Sequence, residues 1–165
     1  MGQYRAVIYL ALDQSSNITG YSVWQDSELI EYGKIKFEGE FIQRVVELNF
    51  WMIDKIKEAE QEGQDIQVVI EEIQEQSNMQ TYKKLAMLQG VLLAELYKRK
   101  IGVHLVYAAS WKSSCGIKGR SRIEQKNSAQ QHVREKYGYE VTQDEADAIC
   151  LGEHISSKIQ NWGRH

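Results

Sequence analysis

No proline occurs anywhere in the 165 residues, cysteine occurs twice and histidine four times. Without proline, and without any repeat, low-complexity tract or linker, nothing divides the chain, and residues 1–165 are expected to form one domain. A chain of this length buries roughly two thirds of its unfolded surface in a single core. The two cysteines, Cys115 and Cys150, lie far apart and show no CxxC or Cys/His ligand spacing. That argues against a disulfide framework and a zinc site and leaves buried, reduced thiols. His104, His132, His154 and His165 show no ligand spacing either, and the sequence gives them no metal role. The apolar run near the N-terminus covers only residues 6–12 and stops at Asp13, too short for a signal peptide or a membrane span. A cytoplasmic protein with no membrane partner is expected.

An excess of basic charge is also missing: the net charge is −3, which does not advertise a nucleic-acid binder. The charge is nevertheless unevenly placed. Residues 98–126 hold eight basic residues against one acid, Glu124, while the other 136 residues hold 12 basic and 22 acidic ones. Hydrophobic residues at 42%, with four Trp, nine Tyr and three Phe, make a packed globular core the expectation.

Residues 5–13 carry seven successive apolar side chains, as a central strand covered on both faces does, and end in a carboxylate. Turn chemistry at residues 15–20 leads into two more strands, 21–24 and 29–37, joined through Gln25-Asp26-Ser27. Phe41, Val45, Leu48, Met52 and Ile56 recur every three or four residues, which predicts an amphipathic helix over 40–62 ended by Gly63. Residues 66–73 read as a buried strand interrupted by Glu71 and Glu72, and residues 78–100 as a second helix. A fifth strand is predicted over 101–107, a loop over 110–121, and closing helices over 122–137 and 142–159. The last opens with Thr142-Gln143-Asp144-Glu145, a capping box. The fold class is therefore α/β, a five-stranded mixed sheet flanked by helices, in the element order expected of the RNase H superfamily.

Four acids fall at matching element ends. Asp13 closes the first strand, Glu71 lies near the end of the fourth, and Asp144 and Asp147, three apart, share one face of the last helix. In an RNase H-like fold the two strand ends are neighbours, so the last helix, packed against them, brings four carboxylates within about 5 Å, where each pair repels by roughly 3 kcal/mol at an effective dielectric near 20. Hard oxygen ligands of this kind select Mg²⁺ or Mn²⁺, and two such ions support phosphodiester hydrolysis without a His base or Ser nucleophile. Taken singly, Asp13 could start a turn, Glu71 could face solvent and the two helical acids could complement a helix dipole.

Leu-Ala-Leu-Asp-Gln-Ser-Ser-Asn-Ile-Thr-Gly-Tyr-Ser-Val from Leu10, Val-Val-Ile-Glu-Glu-Ile from Val68 and Asp-Glu-Ala-Asp-Ala from Asp144 together resemble the RuvC-like Holliday junction resolvases. The likeness extends through Lys84-Leu85, Gln89-Gly90-Val91 and Tyr107-Ala108-Ala109-Ser110-Trp111-Lys112, nearly the whole chain. It implies that Asp13, Glu71, Asp144 and Asp147 are catalytic metal ligands and that Lys112 and Lys126 match basic positions near the scissile phosphate. It also implies a homodimer whose two sites nick four-way DNA junctions, leaving 5′-phosphate and 3′-hydroxyl ends. Gln14-Ser15 replaces the Pro-Gly common after the first Asp, and Gln74 stands where many relatives carry an aromatic. In both, the chain resembles the bacteriophage branch, whose members can accept forks and flaps as well as junctions.

Lys112, Lys118, Arg120, Arg122 and Lys126 flank a glycine-bearing loop and are the candidate DNA-binding residues, placed to track phosphates while metals mask the acids. Trp111 and Tyr107 are either core aromatics or stacking platforms for unpaired bases. Three other readings share some of these features. A ribonuclease acting on RNA or an RNA/DNA hybrid would use the same four acids. A non-catalytic junction-binding protein would be expected to have lost at least one of them. A sugar-kinase-like nucleotide module shares the Leu-Ala-Leu-Asp-Gln-Ser-Ser signature but requires two duplicated domains.

Overall fold

A computed structural model describes residues 5–15, 17–74 and 77–162, with side chains to residue 158. Ser16, inside the first quoted motif, and His165 lie outside the described residues. Strands β1 (Val7–Asp13), β2 (Ile18–Gln25), β3 (Glu28–Lys36), β4 (Asp65–Glu71) and β5 (Gly102–Val106) form one sheet in the order β3-β2-β1-β4-β5. The hairpin strands β1, β2 and β3 pair antiparallel, while β4 lies parallel to β1 and β5 parallel to β4. Mixed pairing follows from the connections: β1 to β3 need only tight turns, whereas β4 and β5 are each reached through a helical crossover.

Side-chain alternation sorts the central strands between two cores. Ile8, Leu10 and Leu12 of β1 with Val68 and Ile70 of β4 pack beneath helices α1 (Phe41–Gln61) and α2 (Met79–Lys98). Tyr9, Ala11 and Val69 face the opposite way, into a core closed by α3 (Ala108–Ser114), α4 (Arg122–Tyr137) and α5 (Gln143–Trp162). The amphipathic period of α1 is realised by Val45, Leu48, Met52 and Ile56, all buried. Gly63 ends it at φ +73, with Gln64 N–H donating to the Ala59 carbonyl and Gly63 N–H to that of Glu60, a Schellman closure. Asn78 caps α2 through its side-chain oxygen, which accepts from Gln80 and Thr81 N–H at 3.1 and 3.2 Å. Among the described residues, no helix is long and apolar enough to cross a membrane.

Two expectations need correcting. Thr19 and Gly20 are not turn residues but sit inside β2, which begins at Ile18. The predicted loop over 110–121 is helical in its first part, because α3 runs from Ala108 to Ser114. Seven residues span two turns, too few to produce a readable period, and α3 is held by the burial of Ala108 and Trp111 rather than by an amphipathic stripe.

Candidate active site

Asp13 and Glu71 are the last residues of two adjacent parallel strands, one step beyond the Leu12–Ile70 register pair. Alternation turns both toward the core face occupied by α5, as it does Ala11 and Val69. The position of α5 over them is set by contact with β2. A Cβ on Gly20 would collide with the Asp144 carbonyl, and one on Gly152 would collide with the Trp24 indole. Only glycines therefore let the helix settle this close to the strand. The buried Ser22 hydroxyl donates to the Ala148 carbonyl at 2.7 Å and accepts from Trp24 Nε1 at 2.9 Å, which fixes the helix along its axis. The capping box forms as its sequence predicts: Glu145 accepts from Thr142 N–H at 3.0 Å and from its hydroxyl at 2.8 Å. That sets the first turn of α5, so Asp144 and Asp147 face the strand ends.

All four acids line one open cleft of about 620 Å³. Its electrostatics are those of an overcrowded anionic cluster. Burial, and then the charges of Glu71, Asp147 and Asp144, hold the Asp13 carboxyl well above the usual carboxylate range. Burial also raises Glu71, partly offset by hydrogen bonding with Asp13 and by a hydrogen bond from Trp111 Nε1, the latter at 3.3 Å. Asp147 is pushed up to about 7, first by burial and next by Glu71, against the pull of Lys126 and Lys112. Burial and mutual repulsion disfavour the charged form of these carboxyls, and hard divalent ions, which favour converging carboxylate oxygens, would relieve both.

Of the five basic candidates, Lys112, Arg122 and Lys126 line the cleft with the acids. Lys112 is oriented by Gln125 Oε1 at 3.1 Å and lies 5.5 Å from the Trp111 ring centre. Lys118 and Arg120 are exposed on the α3–α4 connection and are not part of the lining. Trp111 is 1% exposed, so it braces Glu71 and offers no face to a base, while Tyr107 is 56% exposed.

Sequence reasoning missed several lining residues. Gln14 is buried and both its amide atoms lack hydrogen-bond partners. Asn17, Thr81 and Gln125 complete the polar wall, and Gln74 lies at the same rim. Neutral polar residues carry no spacing signal, and only their adjacency to Asp13 or the basic helix could have marked them. Glu72 also lines the cleft, with its carboxylate accepting from its neighbour Ile73 N–H at 2.9 Å and from Gln89 Nε2 at 3.1 Å. Outside the cleft, Cys115, His132 and Cys150 converge to within 4.8 Å of one another despite their separation in sequence. The absence of ligand spacing therefore did not mean the absence of a cluster.

No protein-family model matches the chain, and no curated protein sequence does. Solved structures do. Thermus thermophilus RuvC in complex with a Holliday junction substrate superposes with a TM-score of 0.74 at 13% identity, covering 94% of this chain and 96% of that one. The chain has the RuvC fold. A second Thermus thermophilus RuvC structure gives 0.70 at 14% identity over 93% and 96% of the two chains. The yeast mitochondrial Holliday junction resolvase gives 0.60 at 13%, over 98% of this chain and 83% of that one. The RNase H-like architecture expected from element order is thus present, and the RuvC fold covers the sheet and helices that build the cleft.

Proposed function

We propose that this protein is a structure-selective endodeoxyribonuclease, a Holliday junction resolvase that hydrolyses phosphodiester bonds in four-way and other branched DNA. The observation that carries this reading is the convergence of Asp13, Glu71, Asp144 and Asp147 in one cleft that Lys112, Arg122 and Lys126 also line. The RuvC fold supports it, since one similar structure was solved with a Holliday junction substrate. The donor set is all carboxylate oxygen, and burial, with mutual repulsion second, raises Asp13 and Asp147, which fits Mg²⁺ or Mn²⁺, two per site, and does not suit softer ions. When bound, the metal ions would activate a water and neutralise charge developing on the scissile phosphate.

The chain's own residues have separable tasks. The four acids hold the cations. Trp111 Nε1 fixes one oxygen of Glu71 and so limits its rotamers. Lys112 and Lys126, the cations nearest Asp147, bind the phosphate flanking the cut, and Gln125 keeps Lys112 extended toward it. Arg122, at the exposed start of α4, tracks the backbone further out. Lys118 and Arg120 serve at most an outer electrostatic role.

Two symmetric incisions require two sites, and a homodimer supplies them. Ile42, Val46 and Phe50 form an exposed i, i+4, i+8 stripe on α1, and Met87 and Val91 form another on α2. Apolar stripes at helical spacing suit burial by a second copy. Gln14 and Gln74 at the rim favour the bacteriophage branch and an allowance for forks and flaps.

The test is a substrate panel for purified protein with Mg²⁺: four-way junction, fork, duplex and RNA/DNA hybrid. Cleavage of the junction to ligatable 5′-phosphate ends is expected, with little cutting of duplex. Preferential cutting of the hybrid would assign the same acids to a ribonuclease. Tight junction binding without cutting would indicate a binding protein.

A further inference from the structure

About one turn along α5 from Asp147, three helices meet at a cluster of metal-binding side chains, with Cys115 and Cys150 buried and His132 partly buried. Cys115 caps the C-terminal end of α3, His132 projects from α4, and Cys150 and Glu153 stand three apart on one face of α5. The ligand atoms of Cys115, His132 and Cys150 all lie within 4.8 Å of one another. Glu153 Oε2 stands beside this trio, accepting from Cys115 Sγ–H at 3.0 Å and from His132 Nε2–H at 2.6 Å. The other carboxylate oxygen, Oε1, accepts from Tyr137 O–H at 2.7 Å and pairs with Lys136 Nζ. One oxygen of Glu153 is thus anchored from outside while the other is aimed at the thiol and the imidazole.

We propose that Cys115, His132, Cys150 and Glu153 bind one Zn²⁺ as a closed structural site that ties α3, α4 and α5 together. Four ligands of two sulfurs, one nitrogen and one oxygen fill a tetrahedral shell and leave no position for substrate, which distinguishes a structural zinc from a catalytic one. A tetrahedral zinc with bonds of about 2.0–2.3 Å sets its ligands roughly 3.3–3.8 Å apart. The present spacing closes on an ion by side-chain movements on the order of an ångström. Binding forms two Zn–S bonds, one Zn–N bond and one Zn–O bond, and the protons on the two thiols and on His132 Nε2 pass to solvent, with no change of oxidation state. Two thiolates, one carboxylate and Zn²⁺ leave one net negative charge, and the Lys136 ammonium on Glu153 balances it. Lys136 and Tyr137 also orient the ligand carboxylate, as outer partners of zinc ligands commonly do. Soft sulfur ligands exclude Mg²⁺ here, while the all-oxygen cleft favours it, so the two sites do not compete for the same ion.

The experiment uses the full-length chain without a histidine tag, stripped of metal under reducing conditions and titrated with Co²⁺ and then Zn²⁺. One equivalent of Co²⁺ is expected to give a thiolate-to-cobalt charge-transfer band with the intense visible bands of tetrahedral cobalt, abolished by one equivalent of Zn²⁺. Zn²⁺ is also expected to raise Tm and to protect both thiols from a disulfide reagent. Cys150→Ala and His132→Gln should lose the band, whereas Asp144→Asn combined with Asp147→Asn should keep it. A wild-type chain that is folded by circular dichroism yet gives no charge-transfer band overturns the proposal. So does a band that survives Cys150→Ala or His132→Gln, or one lost with the cleft acids. A Cys115–Cys150 disulfide forming in the presence of saturating Zn²⁺ would overturn it as well.

Discussion

Asp147 is where binding and stability oppose each other most directly. In the folded protein it titrates at about 7 against an ordinary value of 3.8, mainly through burial and the charge of Glu71. The folded state therefore holds a proton that the unfolded chain has already released across roughly pH 4 to 7, so stability is greatest at the acid end of that window and falls as pH rises through it. Asp13 and Glu71, also raised, act in the same direction. In EDTA, denaturation midpoints should fall between pH 5 and 8, and the midpoint gain on adding Mg²⁺ should be larger at pH 8 than at pH 6. A pH-independent Mg²⁺ effect would contradict this electrostatic account. Asp147→Asn and Glu71→Gln should each raise Tm in EDTA at pH 8 by a few degrees, about 2–4 °C for each kcal/mol of relieved repulsion in a chain of this size. Both should reduce cleavage at least about a hundredfold, the loss of some 2.7 kcal/mol of transition-state stabilisation, while junction affinity in Ca²⁺ is kept or improved. A folded variant cutting at wild-type rate would dissociate that carboxylate from the chemistry. The four acids were legible in the sequence because they fall at element ends. Gln14 and Gln125 were not, since a neutral amide acquires meaning only from what surrounds it.

Helix α5 shows how far an element's position depends on residues outside it. The capping box and the Asp144–Asp147 spacing were readable locally, but its seat on β2 rests on the missing Cβ of Gly20 and of Gly152, which only the tertiary contact reveals. Gly20→Ala should push the first turn of α5 outward, destabilising the fold by about 1–3 kcal/mol as overpacking does. Cleavage should fall more than the population of folded protein does, as judged by comparing rate with Tm. An unchanged Tm and rate would mean that the helix has slack there. Helix α3 went unseen for a related reason, because two turns anchored by one buried Trp leave no periodic trace. Helices α3 and α4 carry the proposed phosphate-binding pair, and Lys112→Ala combined with Lys126→Ala should flatten the salt dependence of junction binding by roughly 0.7–0.9 per lost contact in log-log slope. Lys118→Ala combined with Arg120→Ala should change the slope far less, because neither lines the cleft. Equal effects from both pairs would redraw the basic surface.

At the scale of the whole molecule, strand order followed from element order, since parallel crossovers admit few arrangements. The two-sided burial of β1 was visible as an unbroken apolar run. Quaternary structure was not readable from pattern alone, because the stripes on α1 and α2 reveal themselves as exposed only once the rest of each helix is packed. Phe50, 60% exposed, is the largest side chain of the α1 stripe. Light scattering should find a dimer at micromolar concentration, and Val91→Glu combined with Met87→Glu should yield a folded monomer that nicks junctions without paired incision. A wild-type chain that stays monomeric on and off DNA would leave those stripes without a partner.

The lateral joining of β2 to α5 also has a consequence in time. The Ser22–Ala148 hydrogen bond links positions 126 residues apart, and Asp13 meets Asp147 only when that joint closes. During synthesis the sheet can pair from its hairpin outward, since local contacts close early and distant ones late. Until α5 emerges and docks, the nascent chain holds two of its four acids, with only α3 and α4 available to cover the face they share. If the chain is the nuclease proposed above, it is harmless to DNA while it is being made, and its cutting power arrives with the docking of the last helix.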